Sequence, residues 1–250
     1  MTIRIKNLYS LTLAHLYFLT FTACLLPLLW LLVDIAFDNL GPNPIQTLHI
    51  SLGDWSLRFL WLTLAITPIQ TITSWRGMTE YRQLLGMYAF FYATLHVLVY
   101  LLMDHALVWP QIGIDIVESQ YIWFGVLAYS IIFSLAVTSP KRAKKRMGKN
   151  WKKLHRYIYL AAGAAIIHYY WQLKGNMAEP LFYLVIICIL LGFRVLVWFK
   201  NRQLTRLMIP TGKRVLEVPV KQFVMAETIR EQQVNEQERL YDSGTQHQQI

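Results

Sequence analysis

Seven histidines stand in this chain, at positions 15, 49, 96, 105, 155, 168 and 247, and two of them, His96 and His168, lie deep inside long apolar runs. A neutral imidazole offers a lone pair to a transition metal from either ring nitrogen. An ionisable side chain at membrane depth is costly and marks a functional position by default. His96 follows Gln83 by 13 residues and His168 follows His155 by 13, which is about 20 Å along a helix in each case. Two helices starting from the same membrane face would therefore hold these imidazoles at matching depth. Facing each other across a gap, they can fill both axial positions of a haem iron. The small residues Ala161, Ala162, Gly163, Ala164 and Ala165 leave room beside His168 for a flat macrocycle. The competing reading is two unrelated histidines, each hydrogen-bonded to a neighbouring helix, with Gly163 serving close packing.

The remaining histidines sort differently. His155 lies at the inner edge of its run, directly after Lys152 and Lys153, and Arg82 and Gln83 occupy its depth on the third apolar run. Thirteen residues turn a helix by about 220°, so His155 and His168 need not share a face. His15, near the start of the first run, lies at a depth close to that of His155. His49 and His105 fall in outer loops and His247 in the tail. The two cysteines, Cys24 and Cys188, form no C-x-x-C-H, so any haem is held without covalent attachment, as haem b.

These residues require long apolar elements, and the composition supplies them. Apolar and aromatic residues make up 55% of the 250 and charged residues only 15%, well below the quarter or so typical of soluble domains. Six segments, roughly 11–33, 55–73, 83–103, 121–138, 155–173 and 181–199, approach the ~20 apolar residues that a ~30 Å hydrocarbon core demands. The first exceeds a secretory h-region and lacks a small-residue cleavage site, so it reads as a retained helix. Trp30, Trp55, Trp123 and Trp171 would mark one interface, and Trp75, Trp151 and Trp198 the other. Pro27 and Pro68 are expected to kink their helices.

Charge fixes the orientation. Stretches 34–54 and 104–120 contain neither Lys nor Arg and 172–180 only Lys174, whereas 139–156 carries nine such residues. Positive charge thus alternates with each crossing, as six helices with both termini in the cytoplasm predict. The net charge of +10 is explained by this topology rather than by nucleic-acid binding, and the basic 139–156 loop could hold anionic lipid headgroups. The expected division is a cytoplasmic N-terminus at 1–10, a six-helix transmembrane domain at 11–200 and a polar cytoplasmic tail at 201–250, in part a solvated helix or disordered extension. The chain shows no internal repeat of useful strength. It also has no Gly-rich turn after a strand to bind a dinucleotide, so electrons must come from a quinol in the membrane or from a separate flavoprotein. Arg58 and Arg194, inside the second and sixth segments, could pair a haem propionate or flavin phosphate, or snorkel to the nearest interface.

Two stretches carry a family resemblance. YRQLLGMYAFFYATLHVLVY at 81–100 and LAVTSPKRAKKRMGKNWKKLHRYIYLAAGAAIIHYYW at 135–171, with LGPNPIQTLH at 40–49 and LAITP at 64–68, resemble the haem-binding membrane subunits of periplasmic methionine-sulfoxide-reductase systems. Those subunits belong to the ferric-reductase-like transmembrane group. The resemblance covers roughly 8–200. It departs at Arg82–Gln83, where paired arginines are usual, and at Ser119–Gln120–Tyr121, where Arg-Pro-Tyr is usual. It implies a multi-pass protein of the bacterial inner membrane with haem ligands at His96, His155 and His168, one or two haems b and an FMN. It further implies electrons drawn from the quinone pool or a cytoplasmic flavin reductase, and their delivery to a periplasmic molybdopterin reductase that repairs oxidised proteins. The chain would then be an electron-transfer subunit with no catalytic residue of its own. An electron moving outward gains about 2.3 kcal/mol per 100 mV of membrane potential. The alternatives are a stand-alone transmembrane ferric or metal reductase and a non-redox, transporter-like membrane protein.

Overall fold

The computed structural model describes residues 15–75, 77–172 and 178–207. Among them every regular element is a helix: α1 (His15–Ala36), α2 (Pro44–Thr73), α3 (Met78–Val99), α4 (Trp109–Glu118), α5 (Gln120–Val137), α6 (Lys141–Met147), α7 (Lys149–Leu154), α8 (Ile158–Gln172) and α9 (Ala178–Leu207). Residues Met1–Val195 form one unit and Leu196–Ile250 another, the described part of the second being the end of α9. The tail beyond Leu207, His247 included, lies outside the described residues.

Four helices among the described residues are long and apolar enough to cross a membrane: His15–Ala36, Met78–Asp104, Gln120–Val137 and Leu181–Lys200. Two of the six expected spans, α2 and α8, are not among these four. At 15 residues α8 is short, and α2 carries His49, Asp54 and Arg58 along its N-terminal half. The expected loop at 34–54 is largely helical: α2 begins at Pro44, where a residue without an N–H suits the first turn.

Two antiparallel helix pairs, α2 with α3 and α5 with α8, make the most extensive contacts. Ser56 Oγ donates to the Ala89 carbonyl at 2.9 Å across the first pair. In the second, Ala161 and Ala162 are fully buried and Ala164 nearly so. Most of the small-residue run therefore packs helix on helix, and only Ala165 of the five lines a cavity.

Prolines interrupt the hydrogen-bond ladder in two of the helices, and side chains from other helices bond backbone groups beside them. Pro27 follows a turn at Cys24–Leu25 in α1. The Tyr92 hydroxyl of α3, fully buried, enters that turn, donating to the Cys24 carbonyl at 2.9 Å and accepting from the Leu28 N–H at 3.1 Å. Pro68 lacks the N–H that the Leu64 carbonyl would otherwise accept. Arg194 Nη2 donates to that carbonyl at 3.4 Å, with its guanidinium 4.8 Å over the Tyr159 ring. Arg194 thus turns inward rather than snorkelling. Arg58 is also held by protein: Tyr183 Oη lies 3.2 Å from Nε, Asp54 Oδ2 3.7 Å from Nη2, and the Trp55 ring 4.7 Å from the guanidinium.

At the other end, Gly148 at φ +53° lets the chain turn between the basic helices α6 and α7. The Trp151 indole then donates to the Thr138 carbonyl at 2.9 Å, covering an orphan group at the end of α5.

Candidate functional site

A cavity of about 530 Å³ lies among α2, α3, α4, α5 and α8. Its walls are mostly apolar, and His96 and His168 reach it from α3 and α8. Their ring centroids are 6.2 Å apart and the rings are perpendicular, at 90°. The equal count along the two helices is matched by the meeting of the two side chains, because α3 and α8 run in the same direction.

Each ring is tied by a backbone carbonyl of the neighbouring helix. His96 Nδ1–H donates to the His49 carbonyl at 2.9 Å, and His168 Nδ1–H donates to the Tyr121 carbonyl at 2.8 Å. A carbonyl only accepts, so Nδ1 carries the proton in both rings and Nε2 keeps its lone pair. This is the tautomer and orientation that a metal-ligating histidine requires. In both pairs the accepting carbonyl lies 47 residues before the histidine. The α5–α8 pair therefore repeats the α2–α3 pair, an internal repeat that sequence comparison alone does not reveal.

His49, expected in a loop, is a residue of α2, and its ring stacks on that of His96 at 4.0 Å. Its Nδ1 is 3.5 Å from Asp104 Oδ2. Around the same end of the cavity α3 closes in a π-helical turn, Tyr100–Asp104, followed by Ala106 and Leu107 at φ 47° and 60°. Such left-handed conformations cost on the order of 1 kcal/mol for residues with a Cβ, and π turns recur at functional sites. Here they bring His105 back over α4, where Asp115 accepts from Tyr100 Oη at 2.9 Å, Ser119 Oγ at 3.0 Å and His105 Nε2 at 3.2 Å. Ser119, one of the departures from the family pattern, thus has a partner.

Burial alone would raise the Asp115 carboxyl, but the bonds from Tyr100, Ser119 and His105 outweigh it and hold the group below the usual carboxylate range. The folded state therefore binds this proton less readily than the unfolded chain. The stabilising contribution is fully present above the unfolded value of about 3.9 and disappears as pH falls through the lower folded value. Protection of the α4 amides from hydrogen exchange, relative to the intrinsic rate at each pH, is expected to fall as pH drops below about 5, and Asp115→Asn to remove that dependence. An unchanged pH profile in the variant would show that Asp115 does not latch α4.

His155 is placed apart. It sits in a 3₁₀ turn, His155–Tyr157, with Nε2 3.2 Å from Thr138 Oγ1 and its ring stacked on Trp151 at 4.0 Å. It does not line the cavity, and the positive charges of Arg82 and Lys144 act on it. His15 stands exposed at the start of α1. Among the described residues, no group of three or more His, Cys, Asp or Glu side chains is arranged to hold a metal ion.

Residues 52–166 match the family described as ferric reductase like transmembrane component. The chain is also similar to several proteins named protein-methionine-sulfoxide reductase heme-binding subunit MsrQ. It is 39% identical over 180 residues to the one from Polaromonas naphthalenivorans, covering 71% of this chain and 82% of the relative. Identity is 38% over 176 residues with that of Xanthomonas axonopodis pv. citri, covering 70% and 81%. With that of Rhodospirillum rubrum it is 38% over 184 residues, covering 73% and 88%.

Proposed function

The chain belongs to the family of MsrQ haem-binding subunits, and on that premise we propose that it carries electrons across the bacterial inner membrane to a protein-methionine-sulfoxide reductase. The observation that carries this proposal is the pair of imidazoles, His96 and His168, facing one cavity with Nδ1 of each tied to a backbone carbonyl. Those bonds leave both Nε2 lone pairs for an iron, and about 530 Å³ of apolar-walled space adjoins them, within the range of cofactor pockets. Haem b, when bound, supplies one-electron chemistry. The protein's part is to hold two neutral imidazoles in one tautomer and to exclude water with apolar walls.

Six crossings with both termini in the cytoplasm fit the proposal, with α2 and α8 joining the four longer apolar helices. In α2 His49 and Asp54 line the cavity, and the half-exposed Arg58 bonds Tyr183. A bilayer tolerates such residues where they face the protein interior. His155 does not line the cavity, so the haem is assigned to His96 and His168, and a second one at His155 would need a ligand from outside it. The FMN implied by the family resemblance is assigned to the inner basic face, where Arg82 and Lys144 flank His155. Electrons enter there from a flavin reductase, or from a quinol within the membrane, and leave outward to a molybdopterin-containing partner.

Vesicles holding the purified chain test this directly. A quinol, or a reduced flavoprotein on the inner side, is expected to reduce the haem. Adding the soluble reductase with a methionine sulfoxide outside is then expected to reoxidise it. Reduced haem that persists under those conditions, or that discharges equally to ferric chelates without the partner, would overturn the assignment.

A further inference from the structure

Two glycines stand against the two imidazoles. A Cβ built on Gly53 of α2 would lie 3.1 Å from both Cε1 and Nδ1 of His96. One built on Gly125 of α5 would lie 2.8 Å from Nδ1 and 2.9 Å from Cε1 of His168. Real Cβ atoms essentially never show contacts shorter than 3.0 Å. Neither glycine is needed for its backbone angles, since both sit inside helices without positive φ. A helix interior favours alanine over glycine, so their presence has to be explained by what the missing side chain would touch.

Their register supplies the explanation. Gly53 lies four residues after His49 and Gly125 four residues after Tyr121, the residues whose carbonyls accept from His96 and His168. In a helix the carbonyl of one residue points at the residue four further on, and the two share a face. A side chain at that later position shields the carbonyl, whereas a glycine leaves its second lone pair open to a group approaching from the next helix.

We propose that Gly53 and Gly125 are positioning residues for the haem ligands, each uncovering the backbone carbonyl that orients its histidine and fixes the Nδ1–H tautomer. The proposal rests on the assignment of haem to His96 and His168. A methyl group at position 125 cannot be accommodated without moving the His168 ring, and that movement breaks the bond to the Tyr121 carbonyl. At position 53 the contact is looser and the ring must yield by a few tenths of an ångström. The two sites should therefore respond unequally. Gly163, on the same helix as His168, has nothing within 4 Å of a built Cβ and is the internal control.

The test compares the purified parent with Gly125→Ala, Gly53→Ala, Gly163→Ala and His168→Ala by haem content, low-spin electron paramagnetic resonance and haem midpoint potential. Removing a partner that orients a metal ligand typically lowers metal affinity 10–100-fold. Gly125→Ala is expected to lose haem by about that factor, or to bind it with a high-spin signal. Gly53→Ala should retain haem with a displaced potential, and Gly163→Ala should match the parent. If Gly125→Ala fails to assemble, Gly53→Ala decides: a displaced potential supports the role, and a parent-like potential and spectrum overturn it. A folded Gly125→Ala with parent-like haem content, spin state and potential overturns it as well. If the parent itself binds no haem, the assignment to His96 and His168 fails along with the role of the glycines. If His168→Ala loses haem while both glycine variants keep parental properties, only the role of the glycines fails.

Discussion

Replacing either His96 or His168 by alanine is expected to abolish the reduced b-type absorption bands of the purified protein, and the two variants should be equally affected. Their symmetry follows from the geometry. Each imidazole is supplied by a different helix pair, each is oriented by one carbonyl, and both face the same cavity. Loss of either leaves an iron with one protein ligand. Disturbing a partner that merely orients a ligand costs 10–100-fold in affinity, so removing the ligand itself should cost more than about 100-fold, or about 2.8 kcal/mol at tenfold per 1.4 kcal/mol. His155→Ala is the contrasting variant. Its ring is stacked on Trp151 and hydrogen-bonded to Thr138, away from the cavity, so the bands from the His96–His168 haem should survive. Haem content and the dithionite-reduced spectrum measure all three. A His155 variant as depleted as the other two would require His155 to support the same haem, and the pairing argued above would be wrong.

The pairing of His96 with His168 was legible because counting along two co-directional helices needs only the position of one membrane face. The rest of the site was not, for identifiable reasons. Hydropathy averages over all faces of a helix, so the polar residues at 46–54 read as a loop even though α2 turns several of them toward the cavity. Asn43–Pro44, a start signal for a helix, was the available sign that the helix begins earlier. The repeated arrangement is faint in the sequence because few of its positions keep the same residue, among them Gly53 and Gly125, Pro68 and Pro140, and His96 and His168. What repeats is the backbone geometry, and a carbonyl acceptor carries no residue type; His49 and Tyr121 serve equally. The run of alanines around Gly163 is ambiguous in the sequence. Small residues permit either a cofactor or a close helix, and burial of Ala161 and Ala162 against the bundle shows that here they chiefly serve packing.

The largest loss of fold stability is expected from Tyr92→Phe. The hydroxyl bridges the Cys24 carbonyl and the Leu28 N–H, two groups four residues apart that would bond each other in an unbroken helix. Removing it leaves a donor and an acceptor unpaired in an apolar surrounding, at about 1–3 kcal/mol for each group left unsatisfied. Tyr88→Phe serves as the calibration, because Tyr88 Oη satisfies only one group, the Phe21 carbonyl at 2.8 Å. A polar contact inside a membrane protein averages about 0.6 kcal/mol, and Tyr88→Phe should fall near that figure. The freed Cys24 and Leu28 groups could recover by closing the turn, which Pro27 opposes. Pro27→Ala added to Tyr92→Phe should therefore restore part of the loss, so the two substitutions will not be additive. Unfolding in mixed detergent micelles measures all four variants. Strict additivity would mean that the Tyr92 ring, not its hydroxyl, holds the α1 turn in place.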